Sequence, residues 1–238
     1  MTNLLYQTDS YISQFTATIT AVDQESKSIT LDQSAFYPGG GGQPCDFGEI
    51  ETGDVHFPVL KVKKQGDDVA HFLGEGQLPS PGTQVNALID WDRRFKLMRT
   101  HTALHILCGV VFRDYGALVT GGDMEPLAGR MDFEFDRMQA DLVHDIESAA
   151  NKEVEAAREI RVKILPREEA FQIPDLIRTK INLLPEGITK VRTVEISGLD
   201  LQADGGTHVR STAEVGKIRV VDYKSKGAIN KRIYIVIG

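Results

Sequence analysis

The chain has 238 residues, of which 41% are hydrophobic and 26% charged, and its formal net charge is −7. These values are typical of a globular protein large enough to bury a core. No apolar run reaches membrane-spanning length, and the start MTNLLYQTDS lacks the features of a signal peptide. Cys45 and Cys108 could pair, but two cysteines make no disulfide framework, so we expect a cytoplasmic protein with no membrane partner.

The charge is unevenly distributed along the chain. Residues 1–92 contain 4 basic and 13 acidic side chains, whereas residues 93–238 contain 23 and 21. Within the second part, residues 210–238 contain 7 basic and 2 acidic side chains. The whole-chain charge argues against nucleic acid, but this local basic segment could contact a polyanion. A solvated, charged end of a domain explains the same segment equally well.

Residues 14–90 have the pattern of β-structure. Short β-branched segments at 15–22, 28–31, 55–62, 69–73 and 85–90 are separated by polar turns. Several short strands at this spacing predict a small β-barrel, which we assign to an N-terminal domain of residues 1–92.

The periodicity becomes helical after Asp92. Apolar residues recur at helical spacing over 93–111, with Asp92 as the expected N-cap, and a second long helix is predicted over 138–161. Pro166, Pro174 and Pro185 are expected breaks, and the segments 191–196, 208–212, 216–223 and 232–237 are predicted strands. Residues 93–238 therefore form a predicted α+β domain, and the fold class of the chain is α+β.

Two pairs of polar residues carry the candidate chemistry. His101 and His105, in HTALH, are four apart and so share one face of a helix. Asp204 and His208, in DGGTH, flank two glycines, which predicts a tight turn after a strand. Three imidazoles and a carboxylate suit a tetrahedral zinc ion, either as four ligands or as three ligands with a supporting carboxylate. Two helical histidines on a polar face would be the unremarkable explanation.

Thr102 distinguishes HTALH from the HExxH motif of zinc proteases. In those enzymes the residue after the first histidine is a glutamate that acts as general base. A metal-activated water would need its base elsewhere in this protein, or none.

The run Gly39-Gly40-Gly41-Gly42 is the other unusual segment. Ordering four glycines costs conformational entropy, so we expect the backbone there to approach a ligand, although a flexible loop tip would have the same composition. No GxGxxG or phosphate-binding lysine motif accompanies the run.

Several segments together resemble the AlaX family, free-standing alanyl-tRNA editing proteins similar to the editing domain of alanyl-tRNA synthetase. They are Tyr37-Pro38 with Gly40–Gln43, residues 90–107 (DWDRRFKLMRTHTALHIL), residues 205–212 (GGTHVRST) and residues 223–235 (YKSKGAINKRIYI). They occur in family order over essentially the whole chain, and the glycine-rich N-terminal domain resembles that of the medium-length type.

The resemblance implies both a fold and an activity. The fold is a translation-factor-like β-barrel followed by the editing domain shared with threonyl-tRNA synthetase. The activity is ATP-independent hydrolysis, in trans, of the ester linking a wrong amino acid, mainly serine and in some members glycine, to tRNA-Ala. The family's HxxxH and CxxxH motifs map onto His101, His105, Asp204 and His208, which implies one zinc ion per chain.

Two departures from the family pattern affect this interpretation. Asp204 replaces the family's cysteine. A carboxylate can still bind zinc, or other metals, directly. Alternatively, it can orient a histidine ligand or the attacking water without binding the metal itself. Ser34 stands where related sequences often have threonine, which could loosen the discrimination between serine and alanine.

The expected function is therefore a zinc-dependent deacylase of mischarged tRNA-Ala that supports translation fidelity. We expect substrate contacts from Ser34, Gly40, Gly41, Gly42, Gln43, Gly205, Gly206 and Thr207. We expect phosphate contacts from Arg93, Arg94, Arg99, Lys224, Lys226, Lys231 and Arg232. Two alternatives remain open: a metal-free module that binds tRNA or a synthetase, having lost activity through the cysteine-to-aspartate change, and a zinc hydrolase of small esters or peptides.

Overall fold

The structure, a computed structural model, describes residues 1–135, 139–179 and 187–238. Met138, the predicted start of the second helix, and Pro185, a predicted break, lie outside these described residues. The chain divides into two compact units, Met1–Phe95 and Lys96–Gly238. Among the described residues, no helix combines the length and apolar character needed to cross a membrane.

The first unit is built on a closed β-barrel. Its strands are β1 (Asn3–Leu4), β2 (Gln14–Asp23), β3 (Ser28–Leu31), β4 (Gln33–Ser34), β5 (Gly48–Thr52), β6 (Val55–Gln65), β7 (Asp68–Leu73) and β8 (Gln84–Ile89). The barrel closes in the order β2-β3-β7-β6-β5-β8, and β1 pairs with β4 beside it. Alternate residues of β2, Phe15, Ala17 and Ile19, point into the apolar core, as the period of a strand requires. The predicted barrel and its five predicted strands are confirmed.

A buried ion pair between Arg94 and Asp46 lies inside the first unit. Arg94 has no exposed surface, and its guanidinium binds the carboxylate of Asp46, which is 1% exposed. It also donates to the carbonyl oxygens of Ser10 and Ala35 at 2.9 and 2.6 Å. The prediction that Arg94 contacts phosphate is therefore wrong, because every donor group faces the interior of the barrel unit.

The second unit surrounds one long helix. Its elements are α1 (Trp91–Tyr115, which begins in the first unit), β9 (Val119–Glu125), β10 (Ala128–Glu134), α2 (Ala140–Glu155), β11 (Ile160–Pro166), α3 (Arg167–Ala170), β12 (Lys190–Ile196), β13 (Asp200–Ala203), β14 (Ile218–Ser225) and β15 (Asn230–Ile237). The strands form one antiparallel sheet in the order β14-β15-β10-β9 and a second antiparallel sheet in the order β11-β12-β13. This arrangement confirms the α+β fold class.

The helix α1 begins two residues earlier than predicted. Asp90 caps the helix, because its Oδ1 accepts a hydrogen bond from the backbone N–H of Arg93 at 3.1 Å. Asp92, the predicted N-cap, lies inside the first turn instead. Both aspartates favour a helix N-terminus, so composition alone did not separate them.

Two further elements of the second unit differ from prediction. The helix expected over 138–161 ends at Glu155, since Ala157 adopts a left-handed φ of 49° and Ile160 begins β11. The strand expected over 208–212 does not form, and Ser211 makes only an isolated bridge to Glu159. Residues 206–209 are buried consecutively, without the alternation of a strand, because their side chains pack into the unit from an irregular turn.

Candidate metal centre

The candidate site forms where α1 meets the turn after β13. His101 and His105 lie one helical turn apart and are 4% and 6% exposed. Gly109 lets α1 approach this region closely, because a Cβ there would lie only 3.0 Å from the Cβ of Asp200. The strand ends at Ala203, and the following turn carries Asp204 and His208.

The four predicted ligands converge on one point. One donor atom from each of His101, His105, Asp204 and His208 lies within 4.8 Å of the others. The carboxylate of Asp204 is 3.5 Å from Nε2 of His101, 3.9 Å from Nε2 of His105 and 3.0 Å from Nε2 of His208. The imidazole rings of His101 and His208 are stacked with centroids 4.2 Å apart. These four residues could hold a metal ion.

Neighbouring groups hold the carboxylate of Asp204 in place. The backbone N–H of Gly206 donates to its Oδ2 at 2.7 Å, which closes the turn. The guanidinium of Arg192 donates to the Asp204 carbonyl oxygen at 3.0 Å and lies 3.6 Å from Oδ2. The position of this side chain is thus set by backbone and side-chain contacts together.

Polar groups also lie on the far sides of two histidine rings. Nδ1 of His208 lies 3.1 Å from the Thr102 hydroxyl, and Nδ1 of His105 lies 3.6 Å from the carboxylate of Asp200. Asp200 in turn accepts from Gln202 at 2.6 Å and faces Arg178 at 3.3 Å. In both histidines Nδ1 thus faces a polar neighbour while Nε2 faces Asp204.

Burial and neighbouring charges shift the pKa values of the four residues in different directions. Burial lowers the pKa of His208 to about 4, and it holds the pKa of His101 well below its ordinary value. Burial would also lower the pKa of His105, but the carboxylates of Asp200 and Asp204 outweigh it and raise that pKa. Burial would raise the pKa of Asp204, yet the three histidines keep it well below its usual range. At neutral pH, His101 and His208 thus offer lone pairs and Asp204 offers a carboxylate charge, while the raised pKa of His105 favours its proton.

The glycine run adopts a backbone that explains its composition. Gly39, Gly40, Gly41 and Gly42 have φ values of 84°, 136°, 58° and 87°, a region that other residues rarely adopt. The backbones of Gly40 and Gln43 exchange two hydrogen bonds, and the Tyr37 hydroxyl donates to the Gly40 carbonyl oxygen at 2.9 Å. Gln43 itself is only 2% exposed. The predicted role of the run in substrate selection stays a prediction.

The remaining predicted substrate contacts differ in accessibility. Ser34 has no exposed surface, and its hydroxyl lies 2.8 Å from Nε2 of the buried His71 inside the barrel. Its predicted contact with substrate is therefore not supported by the structure, because the barrel core already satisfies the hydroxyl. Thr207 is also fully buried, whereas Gly205 is exposed.

The basic residues predicted to contact tRNA are not equivalent. Lys231 is 5% exposed and donates to the carbonyl oxygens of Gly227 and Ala228, so its predicted phosphate contact is wrong. Arg232 binds the Asp132 carboxylate through two nitrogens.

The other predicted cations are partly buried or exposed. Arg99 is partly buried and donates to the carbonyl oxygens of Val215 and Gly238. Arg93 lies over the Phe47 ring, with its guanidinium carbon 4.3 Å from the centroid. Lys224 and Lys226 are exposed, and Lys224 pairs with Asp222 at 2.8 Å.

Sequence reasoning missed the groups that surround the ligands. Asp200, Arg192 and Gln202 lie on strands β12 and β13, where their charge alone does not distinguish them from solvated residues. Thr102 did carry a signal, because it occupies the position between the two histidines that HExxH enzymes give to a catalytic group.

Both parts of the chain are similar to known proteins. The family model described as tRNA synthetases class II (A) matches residues 7–93, and that of the threonyl and alanyl tRNA synthetase second additional domain matches residues 191–234. The alanyl-tRNA editing protein AlaX-M of Saccharolobus solfataricus is 37% identical over 240 residues, covering 100% of this chain and 99% of its own length. AlaX-M of Methanosarcina acetivorans is 34% identical, covering 100% and 99%.

A longer relative matches as well. The alanine–tRNA ligase of Ignicoccus hospitalis is 36% identical over 226 residues, which cover 92% of this chain but 24% of the ligase. With near-complete coverage of both partners at more than 30% identity, this chain belongs to the AlaX-M family of alanyl-tRNA editing proteins.

Proposed function

We propose that this protein is a deacylase that hydrolyses the ester linking a wrong amino acid to tRNA-Ala, with serine, and also glycine, as the proposed wrong amino acids. The observation that carries the proposal is the convergence of three histidine Nε2 atoms on the carboxylate of Asp204, in a chain of the AlaX-M family. The proposed cofactor is one zinc ion per chain.

The spacing of the donor atoms supports zinc as the cofactor. Zinc–nitrogen and zinc–oxygen bonds of about 2.0–2.2 Å in a tetrahedron place neighbouring donors about 3.4 Å apart. Oδ1 of Asp204 lies 3.5 and 3.9 Å from Nε2 of His101 and His105, and its Oδ2 lies 3.0 Å from Nε2 of His208, so these separations are close to that value. Three nitrogens and one oxygen are also a donor set that zinc accepts. One donor atom of each residue lies within 4.8 Å of the others, which supports the proposal that the four residues hold the ion.

The protein's own residues hold and orient this site. The Gly206 N–H donates to the Asp204 carboxylate, and Arg192 donates to the Asp204 main-chain carbonyl oxygen and lies 3.6 Å from the carboxylate. Burial keeps His101 and His208 neutral, so their lone pairs are available. Binding a cation would release the proton that the raised pKa of His105 favours. When bound, zinc supplies a Lewis acid that polarises a carbonyl or lowers the pKa of water. Deacylation needs no ATP, because ester hydrolysis is favourable.

Recognition of tRNA is proposed to rely on few cations. Lys224 and Lys226 are exposed and lie on or beside β14, outside the acidic barrel sequence. A small number of phosphate contacts gives a modest affinity that falls with salt. We propose that serine is preferred over alanine because a polar pocket rewards the serine hydroxyl and leaves its own groups unpaired with alanine.

The decisive experiment compares the deacylation of Ser-, Gly- and Ala-tRNA-Ala with and without a chelator, alongside the metal content of the protein. We expect about one zinc per chain and loss of activity on chelation or in His208→Ala. His144→Ala, which changes an exposed histidine of the same unit, serves as the matched control. Activity in metal-free protein would refute the zinc mechanism. A protein that binds tRNA but neither binds zinc nor hydrolyses the ester would support the binding-module alternative.

The nature of the fourth ligand can be tested separately. Asp204→Cys should retain or raise zinc affinity, since thiolate is the stronger zinc ligand, and Asp204→Ala should lower it if the carboxylate binds directly. Equal affinity in Asp204→Ala and the parent would assign the carboxylate a supporting role instead.

A further inference from the structure

We propose that Thr102 is a positioning residue of the metal centre, whose hydroxyl accepts a hydrogen bond from Nδ1–H of His208 and commits Nε2 of that histidine to the ion. The proposal rests on the metal centre of the proposed function. Its starting observation is the distance of 3.1 Å between Oγ1 of Thr102 and Nδ1 of His208.

The two nitrogens of His208 face different neighbours. Nε2 lies among the converging donor atoms, 3.0 Å from Asp204, while Nδ1 points to Thr102 on α1. A neutral imidazole carries one proton, so Nε2 can offer its lone pair only when the proton is on Nδ1. The ring is 3% exposed, so the acceptor for that proton must come from the protein.

Thr102 has the capacity to be that acceptor. Its oxygen has two lone pairs, and the backbone N–H of Val209 donates to it at 3.3 Å. The same hydroxyl thus contacts His208 and the next residue along the chain. Thr102 has no exposed surface, which removes competition from bulk water. These contacts tie the turn that carries His208 to the helix that carries His101 and His105.

A hydroxyl also suits the metal-free protein. Without an ion, Nε2 can keep the proton and donate to Asp204, while the Thr102 O–H donates to Nδ1. A carboxylate could only accept, and an apolar side chain could do neither. Threonine therefore permits both forms of His208 without rotation of the ring.

This role differs from that of the glutamate in HExxH enzymes. Thr102 follows His101 as that glutamate follows the first histidine, but its hydroxyl contacts the side of His208 that faces away from Asp204. Thr102 therefore supports a ligand and does not touch the reacting atoms. Groups that orient metal-binding histidines in this way commonly change metal affinity by about 10–100-fold when removed.

The test measures zinc affinity, by competition with a chromophoric chelator, for the parent and three variants. Thr102→Val keeps the shape and removes the hydroxyl, and we expect affinity to fall at least about tenfold. Thr102→Ser keeps the hydroxyl and should stay within about threefold of the parent. Thr100→Val is the matched control, because Thr100 is equally buried on the same helix but binds the backbone of Lys96 and Glu125. It should lower the thermal stability and leave zinc affinity unchanged.

A second readout does not depend on any variant folding. Nitrogen-15 NMR of the zinc-loaded parent should show His208 protonated at Nδ1, and thermal unfolding of the metal-free forms shows which variants are folded. A proton on Nε2, or equal affinities of the parent and Thr102→Val, overturns the proposal. An equal loss in Thr102→Ser and Thr102→Val also overturns it, since packing would then be the cause. A parent that binds no zinc refutes the metal centre and this proposal together, whereas a parent that binds zinc without deacylating tRNA refutes only the function.

Discussion

Replacing Arg94 by methionine tests the structural role that burial assigns to this cation. The guanidinium is fully buried and makes hydrogen bonds to Asp46, Ser10 and Ala35, with Nε 3.0 Å from each oxygen of the carboxylate. Asp46 also accepts from the backbone N–H of Tyr37 at 2.6 Å. Methionine keeps the apolar stem and removes every donor, so Asp46 loses its cation inside the unit.

The expected loss of stability is large. Removing one member of a buried ion pair typically costs about 3–5 kcal/mol, because the other charge is left without compensation. Since a domain is stable by only about 5–15 kcal/mol, the first unit should lose a large fraction of its stability. The double variant Arg94→Met/Asp46→Leu removes both charges, so its loss should be smaller than the sum of the single losses.

Urea unfolding followed by the fluorescence of Trp91, the one tryptophan of the chain, measures these losses. Arg93→Met is the matched control, because the neighbouring guanidinium is partly exposed and lies over the Phe47 ring. It should cost no more than about 1 kcal/mol. A loss below about 1 kcal/mol for Arg94→Met would show that water reaches the pair and that the structural argument is wrong.

Three further predictions concern pH, tRNA and the glycine run. His71 is buried with its pKa lowered to about 4, so as the pH falls the unfolded chain takes up a proton before the folded protein does. The free energy of unfolding should therefore decrease by on the order of 3 kcal/mol between about pH 6.5 and 4. His71→Leu should flatten that part of the plot of urea midpoint against pH. Lys224→Gln/Lys226→Gln should weaken tRNA binding and reduce the slope of log affinity against log salt by about 1–2, measured by filter binding, without affecting hydrolysis of a small seryl ester. Gly41→Val should reduce the ratio of Ser- to Ala-tRNA-Ala deacylation, since φ at this glycine is 58°.

Matched changes separate these effects from general damage. Gly53 has the same φ of 58° as Gly41, and at both glycines the described residues leave at least 4 Å of free space around the place a Cβ would occupy. Gly53→Val therefore imposes the same backbone strain at another glycine of the first unit. If the two glycine variants distinguished Ser- from Ala-tRNA-Ala equally well, the glycine run would have no role in substrate selection. Lys63→Gln/Lys64→Gln neutralises two exposed lysines on β6 and should leave the salt slope unchanged. An unchanged pH profile in His71→Leu would assign the acid sensitivity to other groups.

Local patterns in the sequence determined most of the secondary structure. The alternation in β2 and the helical spacing of α1 each arise within a few residues, so both elements were found from the sequence. The sequence did not fix the boundaries of elements where two local patterns competed. Asp90 and Asp92 both suit the N-cap of α1, and the residues after Glu155 suit both the end of α2 and the start of β11. The predicted strand at 208–212 did not form, because this stretch belongs to an irregular turn in which residues 206–209 are buried consecutively, without the alternation of a strand.

The sequence by itself also determined which residue types could bind a metal, since HTALH and DGGTH each place two ligands four residues apart. Only the tertiary structure decided that these pairs converge, and that Thr102 and Asp200 lie behind the histidines. It likewise decided that Arg94 and Lys231 are buried while Lys224 is exposed. The physical reason is that periodicity depends on neighbours along the chain, whereas the burial and partners of a side chain depend on segments about a hundred residues away.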